Sequence, residues 1–299
     1  MREQHRSECH LSRILADSRF EILPFSGVPA RTAQELPKNR TVTVTCSPKH
    51  GVDRTVEATE FLSGQGYATV PHLAASAVRD RRHLAEIVTR LAAAGVDEAF
   101  VVGGDAQTGS GVYTSAQQLL GDLRELDGCP ARLGVAGYPE GHPAITEETL
   151  LSSLRAKSES ASYVVTQMCF DARSVRQWIA RLREAGIDLP VVLGAPGSVA
   201  RRKLVEMSAR IGVGASARFL TKNLQSVGKL LTHKTFTPGE FLHQVTEVHE
   251  LAPHVAGVHF FTFNQVAETE RWLAERMASL GRSLGSVGDG DDCACALPA

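Results

Sequence analysis

Short apolar runs rich in Val, Ile, Phe and Thr recur along the chain, and between them the apolar positions fall at helical spacing. The runs predict strands at Phe20–Leu23, Thr41–Thr45, Tyr67–Pro71, Ala99–Val102, Leu133–Gly137, Tyr163–Thr166, Pro190–Leu193 and Val258–Thr262. Each is continuous rather than alternating, the pattern of a strand covered on both faces. The stretches between them predict helices, among them DRTVEATEFLSGQG, VRDRRHLAEIVTRLAAAG, YTSAQQLLGDLREL, TEETLLSSLRAKSES, SVRQWIARLREAG and VAETERWLAERMASL. Several stop at Gly, which takes the left-handed conformation that ends a helix. AEIVTRLAAAG and VRQWIARLREAG carry one apolar stripe opposite a charged face.

Strand and helix alternating eight times, over a chain of 299 residues, predict an α/β protein built as a (β/α)8 TIM barrel, which typically needs roughly 250 residues. A doubly wound open sheet is the alternative. Residues 1–17 read as a polar N-terminal lead that could form a helix, 18–284 as the barrel, and 285–299 (GSVGDGDDCACALPA) as a disordered tail without a periodic apolar face. The segment 194–257 is long for one strand-to-strand connection and predicts further helices in ARRKLVEMSARIG, SARFLTKNLQSVGKLL and GEFLHQVTEVHEL.

Composition narrows the partners. The formal net charge is −1, so no polyanion such as nucleic acid is expected as partner. No apolar run approaches a membrane span, and the polar start MREQHRSECH lacks a secretory core, so the expected location is cytoplasmic. The cysteines at 9, 46, 129, 169, 293 and 295 show neither zinc spacing nor a compact disulfide framework. They read as reduced thiols, and no metal is expected. Exposed barrel helices would serve association into a homo-oligomer.

In a (β/α)8 barrel the chemistry sits at the C-terminal strand ends. Polar groups recur there: Glu21 within the first strand, Cys46-Ser47 after the second, His72 at the third, Gly103-Gly104-Asp105 after the fourth, Tyr138-Pro139-Glu140 and His142 after the fifth, Gln167 and Asp171 after the sixth, Gly194 at the seventh, Thr262 and Asn264 after the eighth. Each has a plain structural reading. Glu21 could be an edge-strand acid, His72 a core histidine, Asp105 a turn or cap residue, and Tyr138 and Gln167 structural hydrogen-bonders. Asp171 reads as the N-cap of the next helix. Their accumulation at nearly every strand end is the signal. Glu21 is the sharpest, because a carboxylate among apolar neighbours is costly unless paired or protonated.

The segments FEILPF, VPHLAA, VVGGDAQ, GYPEGHP, VVTQMCFD and GVHFFTFN follow one another in this order. Together they resemble the strand-end motifs of the methylenetetrahydrofolate reductases, over about residues 18–281. The resemblance implies an oxidoreductase on a (β/α)8 barrel. It would bind FAD and interconvert 5,10-methylenetetrahydrofolate and 5-methyltetrahydrofolate with NAD(P)H, serving one-carbon metabolism and methionine biosynthesis. By position, Glu21 matches the family's general acid and Asp105 the aspartate near flavin and pterin. Gln167 matches the glutamine that contacts folate, and Asn264 falls in the last motif on the substrate side. His72, Gly104, Tyr138 and His142 match positions lining the flavin, and Arg155 and Lys157 are the candidates for the FAD phosphates.

The implied chemistry suits these residue types. An acid with a raised pKa in a low-dielectric site protonates the leaving amine near neutral pH, so the methylene bridge opens to a 5-iminium cation. Asp105 would stabilise that cation by its negative charge. The family's aspartate follows an Arg-Gly pair where this chain has Gly103-Gly104, and the last motif continues with arginine where this chain has Gln265. A flavin-independent hydride transfer on the same barrel therefore stays open, as does a non-catalytic folate-binding subunit of a methyltransfer system. The acid separates these, because a pure binder has no need of it.

Overall fold

All eight strand-forming runs become strands, each within a few residues of its expected limits. The computed structural model describes residues 2–47, 50–104, 111–200, 202–204, 235–247 and 254–285. Its strands are β1 (Ser18–Ile22), β2 (Thr41–Val44), β3 (Ala68–Ala74), β4 (Glu98–Val102), β5 (Arg132–Gly137), β6 (Tyr163–Thr166), β7 (Val191–Pro196), β8 (Val199–Ala200), β9 (Thr235–Phe236) and β10 (Val255–Phe261). The helices are α1 (Arg2–Ala16), α2 (Val28–Glu35), α3 (Gly51–Gly64), α4 (Arg81–Ala93), α5 (Ala116–Arg124), α6 (Glu147–Ser158), α7 (Ala172–Glu184), α8 (Gly239–Thr246) and α9 (Val266–Gly285). Eight strands close into a barrel in the order β1-β10-β7-β6-β5-β4-β3-β2, and β8 pairs with β9 in a separate two-stranded sheet. The fold is a (β/α)8 barrel, and closure rules out the open-sheet alternative. The helices expected within 205–234, the tail from residue 286 onward, and Asp105 lie outside the described residues.

The contacts group the chain into two compact units. The first holds residues 19–137 and 146–165. In it β1 to β5 pair in parallel, with Arg19, Phe20, Glu21 and Ile22 in register with Thr41, Val42, Thr43 and Val44. Arg19 on β1 contacts Glu98 on β4, three strands away in the barrel order, so both side chains point inward. Side chains alternate along a strand, which puts Glu21 on the same inward face and Phe20 and Ile22 on the outward one, where both are fully buried. The Arg19 guanidinium also lies 4.5 Å from the centre of the Tyr163 ring, and Arg132 lies 5.6 Å from it. A Cβ on Gly134 would run into that ring, so the tyrosine occupies the space the glycine leaves.

The second unit holds residues 1–18, 138–145 and 166 onward. The N-terminal stretch is more than a polar lead here. As α1 it buries Leu11, Ile14 and Leu15 and packs against α8, α9 and β10. Arg13 donates to the Val255 carbonyl at 2.6 Å, and Val258 N–H donates to Asp17 O at 3.1 Å. Gly257 admits that close approach, since a Cβ there would strike the Asp17 carbonyl. Asp171 caps α7 as its position in the sequence suggests, accepting from Arg173 N–H at 3.0 Å. The helix α2 and the β8–β9 sheet have no counterpart in the strand and helix pattern. Both are short, and α2 is signalled only by a left-handed Gly27 and a Pro in its first turn.

Candidate active site

Glu21 is 7% exposed, on the inward face near the C-terminal end of β1. Burial withholds water from its carboxylate and raises its pKa from 4.5 to about 7, a shift that nearby His72 opposes. A carboxylate oxygen of Glu21 and a ring nitrogen of His72 lie within 4.8 Å. His72 sits in β3 in register with Phe100 of β4, and the two rings meet edge-on at 4.8 Å. The structure therefore brings Glu21 and His72 together in a shielded setting where the acid holds its proton close to neutrality.

Gly104 follows β4 with φ of 76°, in the left-handed region, and a Cβ there would collide with the Ser76 hydroxyl. Ser76 N–H donates to Gly103 O at 3.1 Å, and Gly111 N–H donates back to Ser76 O at 3.2 Å. Gly103 and Gly111 are thus both bonded to the turn after β3. Asp105 itself falls within 105–110, outside the described residues.

In the other unit Tyr138 and His142 pair edge-on with ring centres 5.3 Å apart. Burial raises the Tyr138 pKa, which keeps its hydroxyl a neutral donor. His142 Nδ1 accepts from Ala144 N–H at 3.2 Å, so the neutral ring carries its proton on Nε2. Gln167 follows β6, and its amide oxygen accepts from Met168 N–H at 2.8 Å. Asn264 follows β10 in a left-handed conformation, φ 64°, with its N–H given to Thr262 Oγ1 at 3.2 Å. Gly194 lies inside β7, which runs on to Pro196 rather than ending at the glycine; its N–H donates to Thr166 Oγ1 at 2.8 Å and its carbonyl accepts from Cys169 N–H at 3.0 Å.

Arg155 and Lys157 stand apart from the strand ends, in the last turn of α6. Arg155 is exposed. Lys157 is only 9% exposed, and burial lowers the pKa of its ammonium. Its ammonium makes no hydrogen bond or ion pair with another described residue, and it keeps some contact with solvent while the stem is buried.

The family model for methylenetetrahydrofolate reductase matches residues 30–275. The chain belongs to the methylenetetrahydrofolate reductase family. Among curated relatives, methylenetetrahydrofolate reductase 1 of Schizosaccharomyces pombe is 27% identical over 164 residues, which is 52% of this chain and 26% of that protein. Methylenetetrahydrofolate reductase 2 of Saccharomyces cerevisiae is 31% identical over 88 residues, 28% of this chain and 15% of that protein. The chain thus aligns with about a quarter or less of the length of these relatives. An uncharacterized protein from Clostridium thermocellum that binds two copies of 5-methyl-5,6,7,8-tetrahydrofolic acid has the same fold. The TM-score is 0.60 at 10% identity, over 93% of this chain and 98% of that one. Glu21 precedes the matched span, so its standing rests on burial and position rather than on that match.

Within the segment Tyr138-Pro139-Glu140-Gly141-His142-Pro143, the role of Glu140 has no signal in the local sequence. One of its oxygens, Oε1, accepts from Phe170 N–H at 2.8 Å and from Asp171 N–H at 3.1 Å. The carboxylate therefore fastens the loop after β5 to the loop after β6, three residues beyond Gln167, and lies at the N-terminus of α7, where negative charge is favoured. The two motifs belong to one hydrogen-bonded unit. Their separation in sequence, about 30 residues, hides this.

Proposed function

We propose that the protein interconverts 5,10-methylenetetrahydrofolate and 5-methyltetrahydrofolate with NAD(P)H, using FAD as carrier and Glu21 as the general acid. The carrying observation is the buried carboxyl of Glu21, whose pKa of about 7 leaves a proton to give near neutral pH. Opening of the methylene bridge needs a proton on the departing amine nitrogen. Glu21 supplies it in the reducing direction and takes it back in the other, and His72 lies beside it to favour the resulting carboxylate. The carboxylate of Asp105 would stabilise the cation that forms on the pterin. Gln167 would offer its amide NH2 to the pterin edge, since its oxygen is already engaged with Met168 N–H, and Asn264 would add a second polar contact.

The residues fit a dianionic cofactor. The Lys157 ammonium, with its stem buried and no acid beside it among the described residues, is a cation that a pyrophosphate could take up. Lys157 with exposed Arg155 would hold the FAD phosphates, while His72, Gly104, Tyr138 and His142 would line the flavin. Bound FAD supplies a hydride carrier between nicotinamide and folate. No helix among the described residues is long and apolar enough to cross a membrane, and a cytoplasmic location belongs to the same reading.

The deciding experiment is an absorption spectrum of the purified protein with and without added FAD, followed by NADH oxidation with methylenetetrahydrofolate. A flavin band bleached by NAD(P)H and restored by the folate supports the reading. Glu21→Gln should then block the folate half-reaction and spare the nicotinamide half. A colourless protein that still oxidises NADH in the presence of folate would replace it with direct hydride transfer. Folate binding without turnover in either direction would reduce the protein to a binding subunit.

A further inference from the structure

The sharpest backbone departure among the described residues is the turn that follows β10. Phe263 and Asn264 are its two central residues, both left-handed, with φ of 49° and 64°. They are the only non-glycine residues of positive φ described. Gln265 N–H closes the turn on Thr262 O at 2.9 Å. Asparagine tolerates this conformation; a phenylalanine does so only under strain. The strain is offset by burial. The Phe263 ring is 2% exposed and lies in a cluster with Met168, Phe170, Val199 and Leu204, against which Phe236 and Phe261 also pack.

The turn is fastened on its other sides as well. Thr262 Oγ1 accepts the Asn264 N–H. The Gln265 side-chain oxygen accepts from Ala200 N–H on β8 at 3.2 Å, and its carbonyl accepts from the Thr269 hydroxyl at 3.1 Å. The cluster draws Met168 and Phe170 from the loop that begins with Gln167. The ring of Phe263 therefore ties the Asn264 turn to the Gln167 loop. Connecting β10 to α9 does not require a strained phenylalanine, and strain that persists in a well-packed setting points to a functional constraint.

We propose that Phe263 is a positioning residue for folate binding: its buried ring holds the left-handed turn and thereby sets Asn264 relative to Gln167. This rests on the reading of Asn264 and Gln167 as folate contacts. The test is titration of the purified holoprotein with 5-methyltetrahydrofolate for the wild type, Asn264→Ala, Phe263→Ala and Phe263→Leu, each well below its own melting temperature. Asn264→Ala should weaken binding by about tenfold, the value of one lost hydrogen bond. Phe263→Ala should match it, with the double variant no worse than either single one, as expected for two residues acting as a unit. Phe263→Leu, which refills most of the cluster, should bind within about threefold of wild type. If Phe263→Ala does not fold, Phe263→Val takes its place, because a β-branched residue keeps the apolar contact yet resists the left-handed region. Weakened binding in Asn264→Ala alongside wild-type affinity in the Phe263 variants overturns the positioning role alone. Wild-type affinity in Asn264→Ala overturns it through its premise. Absence of binding by the wild type overturns the reading of function beneath both.

Discussion

Glu21 and Lys157 show how burial sets the behaviour of a single side chain. In the unfolded chain a glutamate titrates near 4.5, and in the folded protein Glu21 does so near 7. Between those values the native state holds a proton that the unfolded chain has released. Stability therefore falls as pH rises through this window and levels off above it. At 1.36 kcal/mol per pKa unit, the loss is on the order of 3 kcal/mol. Glu21→Gln removes the slope, so denaturant melts at pH 5 and pH 8 should differ less for the variant than for the wild type. The same titration should make the folate half-reaction decline above about pH 7 as the acid loses its proton. Lys157 carries the opposite charge on a mostly buried side chain, and burial lowers the pKa of its ammonium. Lys157→Met should raise the stability of the cofactor-free protein by about 1 kcal/mol or more. It should also weaken FAD binding, as followed by flavin fluorescence. A variant that loses stability without FAD and binds FAD normally would remove Lys157 from the cofactor site.

Loops at the strand ends act as coupled elements, and the couplings run through atoms that carry no chemistry themselves. Glu140 joins the loop after β5 to the start of α7 by two bonds from backbone N–H groups. Glu140→Ala leaves both donors without their acceptor, which costs about 1–3 kcal/mol. It should raise KM for folate more than it lowers the rate of flavin reduction by NAD(P)H, because the Gln167 loop loses its tether. Glu140→Gln keeps an acceptor oxygen and should recover most of the loss. Equal effects of the two substitutions would assign the role to charge rather than to the bonds. Gly104 and Gly111 are held differently, by packing on Ser76 and by a bond to the Ser76 carbonyl. The sequence shows two glycines before an aspartate. It does not show that the second takes a left-handed φ of 76°, which favours glycine, close against the Ser76 side chain.

For the molecule as a whole, buried charge is not confined to the strand-end groups. Arg19 is nearly fully buried and is matched by Glu98 and by the faces of Tyr163. Arg132 approaches the same Glu98 at 3.5 Å. Removing one member of a buried pair strands the other, so Arg19→Met should destabilise the protein by about 3–5 kcal/mol in denaturant unfolding. The double variant Arg19→Met with Glu98→Gln should regain much of it. Neither change should alter the pH dependence that Glu21 imposes.

The sequence by itself determined the eight strands, most of the helices, the cap at Asp171 and the barrel, because continuous apolar runs and helical periodicity are local patterns with direct physical causes. It also placed Glu21, His72, Gly104, Tyr138, His142, Gln167 and Asn264 at strand ends, since in this fold strand order and site position are linked. Only the tertiary structure decided that α1 is packed into the fold, and that Glu140 is a clamp. It also decided that Gln167 has already committed its oxygen, that the Lys157 side chain is mostly buried, and that Phe263 underwrites a strained turn. Each of these depends on what a residue meets across tens of positions of chain. Burial, partner geometry and left-handed backbone are properties of packing, and no window of neighbouring residues contains them.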